Sequence, residues 1–243
     1  YDFHRNDVLD ASNYFTLRDN LEKPPLIRNQ YGFSIGGPIV KDTAFFFFNY
    51  EALKERKSTS QTRSLPNADT RLGMLPTGPG GALELVEDLD PRILPYFSLW
   101  PLPGPNAVDL GDGTSREGIN IAQPIDEDYF QIRADHHFSD SDSIFGRYTW
   151  QNSQQSRFTE TKNWSALDTV KNRFLTVEHK HIFSATTLNT FRFGFGHREG
   201  AQEAFEHCSC DASLRFIPEE HWQSPLGAPP VQGLINVSGL SRV

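Results

Sequence analysis

Thiols are nearly missing from this 243-residue chain, whose two cysteines are Cys208 and Cys210. Their spacing forms neither a paired CxxC metal signature nor a redox motif, so no disulfide framework follows and the compartment stays open. Long apolar runs are missing too. The longest, Ala44 to Phe48, falls far short of the roughly 20 residues that a membrane-spanning helix needs, which excludes a helical membrane protein. The 23 Lys and Arg are scattered through a chain of net charge −8. With no dense run to neutralise a phosphate backbone, nucleic acid is not an expected partner. Residue 1 stands inside a patterned stretch, Tyr1-Asp2-Phe3-His4, without an initiating Met, a basic n-region or an apolar h-region. A fragment or a processed chain is therefore expected.

Large rings, by contrast, are abundant. Aromatic residues make up 12% of the chain, with 19 Phe and 7 Tyr against a single Met, yet charged residues reach 22% and the mean hydropathy is −0.51. Phe and Tyr mixed with Thr, Ser and Asn suit a pleated, half-polar surface, so the bias is toward β structure. The length suffices for one large domain or two small ones.

Alternation organises the chain in segments of about ten residues, the length of a tilted strand crossing a bilayer. Six are clear, over 30–36, 42–56, 128–138, 144–152, 173–183 and 188–198. In the second, Phe46, Phe48, Tyr50 and Ala52 oppose Asn49 and Glu51; in the last, Phe191, Phe193 and Phe195 oppose Thr190, Arg192 and Gly194. Tyr1 to His4 reads as the tail of an earlier strand. Short connections at 37–41, 139–143 and 184–187 alternate with long ones at 57–127, 153–172 and after 198. One tight rim and one elaborate rim, with strands apolar on one face and polar on the other, is the plan of an outer-membrane barrel. Within 57–127, Asp90 before Pro91 predicts a short helix with Ile93, Leu94 and Phe97 on one face.

Motifs with chemical content are few. Gly32-Phe33-Ser34-Ile35-Gly36 matches G-x-S-x-G, but Ser34 sits in mid-alternation and Gly37-Pro38 stands where the helix of a nucleophile elbow should begin. A strand serine is expected instead. His179 and His181 share one strand face, close enough to share a metal, and His207 with Cys208 and Cys210 offers a second donor group; neither shows a third or fourth ligand. Interface aromatics and a loop pair are the expected roles. Asp109, Asp112 and the run Asp126-Glu127-Asp128 lack EF-hand spacing and read as solvated loop carboxylates. The sequons at Asn163 and Asn236 are chance matches if the source is bacterial. No catalytic, cofactor-binding or metal-ligating residue is assigned, and no ligand-binding residue can be named.

Whole phrases of the chain resemble one family, the TonB-dependent receptors of the Oar-like type. Phe3-His4-Arg5-Asn6-Asp7-Val8-Leu9-Asp10-Ala11 is similar to a phrase near the start of that barrel. Asn29-Gln30-Tyr31-Gly32, Gly36-Gly37-Pro38-Ile39 and Phe45-Phe46-Phe47 through Tyr50-Glu51 resemble its most recognisable hairpin. Leu65-Pro66 with Arg71 and Gly73, then Pro101-Leu102-Pro103, follow in order. Asp135-His136-His137-Phe138-Ser139-Asp140 leading to Phe145-Gly146-Arg147-Tyr148, and Ile182-Phe183-Ser184 to Phe191-Arg192-Phe193-Gly194, resemble two further hairpins. The resemblance implies a 22-stranded barrel closed by an N-terminal plug and energised through TonB. Plug, TonB box and regulatory-like domain are not found here, and the Glu203 to His207 stretch with the cysteines matches no family pattern.

The expectation is therefore an all-β, partial antiparallel transmembrane barrel, an up-and-down meander over 1–243 with an extracellular loop at 57–127. It would be a non-catalytic segment of an outer-membrane receptor or transporter. Its partners would be outer-membrane lipid, its own plug and TonB, and an unidentified extracellular ligand, with no cofactor. A structural or adhesive surface barrel is the first alternative, a soluble β-rich binding module or hydrolase the second. Two finer expectations follow. Centring the turn 139–143 on Ser141 sets Asp135 opposite Arg147, Phe138 opposite Ile144 and Ala134 opposite Tyr148. The isolated chain, left with two unpaired strand edges, should need detergent; a monodisperse monomer melting cooperatively in plain buffer would contradict this.

Overall fold

The computed structural model describes the chain except for residues 19–20, 79–80, 208–210, 216–220, 222–234, 239 and 242–243. Eleven strands are described: β1 (Asp2–Asn6), β2 (Leu26–Val40), β3 (Ala44–Pro66), β4 (Met74–Pro76), β5 (Leu83–Leu85), β6 (Val108–Asp109), β7 (Thr114–Ala122), β8 (Ile125–Ser139), β9 (Asp142–Phe158), β10 (Trp164–Ser184) and β11 (Thr187–Glu206). An antiparallel meander runs β1-β2-β3-β8-β9-β10-β11, with β7 beside the far end of β3, β6 beside β7, and β4-β5 a separate pair. No described helix is long and apolar enough to cross a membrane.

Tight turns close three hairpins at one end: β2 to β3, β8 to β9 and β10 to β11. Beside each turn the register slips, between Pro38 and Val40, His137 and Ser139, and Ile182 and Ser184. The slip has a geometric reason. Ser139 opposite Asp142 is an odd-sum pairing, and continuing it would set polar positions of β8 against apolar positions of β9. One bulged residue restores the parity, so both strands turn the same kind of face to the same side. Pro38, which has no N–H to donate, is tolerated beside such a bulge.

Beyond the bulge, Asp135 pairs with Phe145, Arg133 with Arg147 and Ala134 with Gly146. This corrects the expected register by two residues. An attraction of about 0.2–1 kcal/mol between Asp135 and Arg147 could not outweigh the geometry of a two-residue turn with its bulge. Asp135 instead bonds along its own strand to Arg133, at 2.6 and 2.8 Å. Cysteines placed at 135 and 145 should therefore oxidise to a cross-link efficiently, and a pair at 135 and 147 should not; the reverse would disprove this register.

The elaborate rim also differs from expectation. Strand continues through Pro66 and resumes at Thr114, so the connection expected over 57–127 shortens to 67–113. That expected over 153–172 shrinks to 159–163. These strand extensions carry no apolar alternation to betray them. Ser153, Gln154, Gln155 and Ser156 are polar on both faces, and pairing rests on the ladder and on contacts such as Arg157 with Asp168 at 2.6 Å. The expected helix after Asp90 is a 3-10 turn at Leu94–Leu99, because the Asp90 carboxylate bonds the Arg92 N–H and closes a turn of its own.

The buried core is small and lies at the elaborate rim, where Leu65, Leu99, Trp100 and Leu214 meet. Along the sheet itself one face is apolar and uncovered. Phe33, Ile35, Phe191, Phe193 and Phe195 on that face are 50–64% exposed, more contiguous apolar surface than a water-facing sheet carries. An aromatic ladder crosses it: Phe33 to Phe48 at 5.8 Å, Phe48 to Phe130 at 6.2 Å, and Phe130 to Trp150 at 5.3 Å. The ladder ends on the Arg173 guanidinium, 4.7 Å over Trp150. One row further from the tight turns the same face becomes ionic, with Lys54 on Asp128 at 2.9 Å and Lys171 on Glu199 at 3.1 Å. From Arg173 to Phe183 this face of β10 runs about ten residues, one bilayer crossing.

Candidate functional site

The opposite face of the sheet is polar, and its charges come in pairs. Arg133, gripping Asp135, also lies 3.9 Å over the Phe145 ring. Arg192 Nε donates to Glu178 Oε2 at 2.6 Å. Arg133, Asp135, Phe145 and Glu178, with His137, Ser143 and Lys180, border a cleft of about 230 Å³ near the tight turns. A second cleft, about 440 Å³, lies between β2, β3 and β8 and is lined by Arg28, Gln30, Asn49, Glu51, Glu127 and Tyr129 around Leu53. Arg28 stands 3.7 Å from Glu55, and the Asn49 amide donates to Glu51 at 3.3 Å. Alternation puts these residues together. Every second residue of β2, β3 and β8 faces this side, and the pairing of Gln30 with Leu53 and of Leu53 with Glu127 aligns the three rows.

The third feature is a cap at the elaborate rim, built by hydrogen bonds to strand ends. Arg71, closing the short helix Ala68–Arg71, donates to the carbonyls of Pro66, Phe97, Trp100 and Pro101. Burial lowers its pKa. Trp100 Nε1 donates to the Ser241 carbonyl at 2.7 Å, and Ser241 N–H to the Ser64 carbonyl at 2.9 Å. Beside Trp100 lies an apolar cavity of about 340 Å³ bordered by Ile93, Tyr96, Phe97, Ile235 and Leu240.

The residues singled out in the sequence fall as follows. Ser34 pairs with Asn49 in mid-β2, with no turn or helix after it, so the elbow geometry is missing. His179 and His181 share the Asp142 carboxylate, Oδ1 to the first at 2.6 Å and Oδ2 to the second at 3.3 Å. That carboxylate was the partner the sequence did not show, because only the pairing of His181 with Asp142 across β9 and β10 supplies it. Each oxygen serves one ring, and among the described residues no three such side chains converge as metal ligands. His207 bonds Ser165 Oγ at 2.7 Å and packs on Phe158, while Cys208 and Cys210 lie outside the described residues. Asp126 and Asp128 are not loop carboxylates but belong to β8, where they pair with Arg56 and Lys54. Glu127 points to the other face, into the larger cleft.

Asp109 ends β6 and Asp112 lies in the turn that follows, and they cap the N–H groups of Gly111 and Thr114. Bonds from the Thr114 hydroxyl and N–H lower the Asp112 pKa. A depressed folded-state pKa means that the cap is in place above the unfolded carboxyl value of about 3.9 and is lost as pH falls through the folded value. Amide exchange at Thr114 should accelerate on acidification below about pH 4 beyond its intrinsic rate; a flat corrected profile would count against the cap.

An apolar face one bilayer tall, a polar face of paired charges and two unlike rims define a membrane-barrel wall. The chain belongs to the outer membrane beta barrel domain family, whose model matches residues 1–238, and its place is the outer membrane. No curated protein and no solved structure matches it.

Proposed function

We propose that this chain is a non-catalytic barrel segment of a TonB-dependent receptor of the Oar-like type, which takes up an extracellular ligand. The apolar face would meet lipid, and the polar face would line the lumen and contact the plug. The observation that carries the reading is the polar wall itself, where ionic pairs such as Arg133 with Asp135 border clefts along the sheet. A barrel that only coats the surface needs no such lining. The order of the Oar-like phrases supports the receptor type. Deletion of the full-length gene, and separately of TonB, in the source bacterium tests it. Both strains should leave the same compound undepleted in a complex medium. If no compound depends on both genes, the structural or adhesive reading takes its place.

A further inference from the structure

Among the described residues, two side chains of the larger cleft each carry a sealed hydrogen-bonding atom without a partner: Arg28 Nε, a donor, and Asn49 Oδ1, an acceptor. Such atoms are uncommon in folded proteins and call for an explanation. Both side chains line the cleft, so a rotation brings either atom to a bound group. Arg28 pairs with Glu55, six residues from Asn49 along β3, so the two backbone positions lie about 20 Å apart at the strand rise, and a ligand answering both atoms must be elongated, accepting near one end and donating near the other. A row of hydroxyls does both at every unit, whereas an ammonium only donates and a carboxylate only accepts.

Charge points the same way. Glu51 and Glu127 oppose an anion, and the Arg28 guanidinium opposes a cation. Apart from its place in the β8 ladders, the Glu127 carboxylate makes no hydrogen bond or ion pair within the described residues, which leaves its oxygens to accept hydroxyl protons. The Gln30 amide offers both functions, and the Tyr129 ring offers a flat apolar surface. At about 440 Å³ the cleft falls within the range of small-molecule sites.

We propose that this cleft is a lumen-wall subsite for an uncharged polyhydroxylated ligand, a neutral saccharide, an inference that rests on the uptake reading above. Hydroxyls of different sugar units would reach Asn49 and Glu127, whose backbone positions lie four residues apart along the strands because Glu127 pairs with Leu53, about 13 Å, while the C–H face of one unit lies on Tyr129. The test uses the full-length receptor in detergent micelles and equilibrium dialysis of labelled trisaccharides. Neutral gluco-, manno-, xylo- and galacto-trimers are compared with cationic glucosamine and anionic galacturonate trimers. At least one neutral trimer should bind better than either charged one. Asn49→Ala and Glu127→Gln should each raise its Kd roughly tenfold, a change of one ordinary hydrogen bond. Thr190→Ala, on the same face of β11, should leave it unchanged.

Melting of each variant guards against misfolding, and Asn49→Leu, which keeps the volume of the side chain and removes the acceptor, takes the place of alanine if that unfolds the strand. Failure of every neutral trimer to bind, preference for a charged trimer, or indifference of a bound neutral trimer to both substitutions overturns the subsite. Binding needs no energy source, so the two readings fail separately. A receptor that binds a neutral trimer here without depleting it from the medium loses the uptake reading alone. One that depletes a ligand but binds no neutral trimer loses the subsite alone.

Discussion

Arginine in place of Phe193 should destabilise the full-length protein in lipid vesicles by about 2–4 kcal/mol, the cost of a cation on the lipid face near the bilayer midplane. Phe193 is half exposed on the apolar face of β11 and pairs with Val177. Its row lies between the Arg173 and Trp150 row and the His179 and His181 end. Arginine at Gly194, the next residue, should change stability by no more than about 0.5 kcal/mol, as ordinary water-facing substitutions do. A side chain there meets open space and turns to the polar face. Urea unfolding in vesicles measures both. Equal penalties at the two positions would mean that the faces have been assigned the wrong way round or that neither meets lipid.

The sequence made this face assignment legible because alternation survives wherever one side of a strand meets lipid and the other meets water. Phe191, Phe193 and Phe195 against Arg192 and Gly194 can be read directly, and so can the tight turns. Legibility failed in the strand extensions, where neither face meets lipid. Ser58 to Pro66 of β3 and Thr114 to Ala122 of β7 are paired residue for residue, yet their side chains show no period to mark a strand. Register was hidden for another reason. Its parity follows from the two faces, but its absolute value is set by a two-residue turn and one bulge, and Ser139 to Ser143 gives no local sign of which residue is bulged. Site residues fared worst. Glu127 read as one of three loop acids, and only the shared row with Leu53 and Gln30 turns it into a cleft residue. Arg71 stood out only as part of a family phrase, because its partners are backbone carbonyls, which leave no trace in the identity of the residues that carry them.

Alanine in place of Arg71 should release the cap while leaving the sheet intact. The guanidinium donates to four carbonyls from two separate stretches of the connection, Pro66 on one side and Phe97, Trp100 and Pro101 on the other. Hydrogen bonds from a charged group contribute roughly 1.5–3 kcal/mol each and are not additive, so a local loss of about 3–5 kcal/mol is expected. Trp100 would lose the anchor of its backbone, and with it the indole bond to Ser241 that joins this connection to the segment after β11. Arg71→Lys should recover only part of the loss, since an ammonium cannot span carbonyls that a planar fork reaches. Two measurements separate a local from a global effect. Amide exchange across 94–101 should rise about a hundredfold or more, the equivalent of about 3 kcal/mol, and protease should cut within 67–113. The cross-link between cysteines at 135 and 145 should form as before, because the tight-turn end of the sheet shares no contact with Arg71. Loss of that cross-link together with the cap would show that the cap holds the sheet together rather than resting on it.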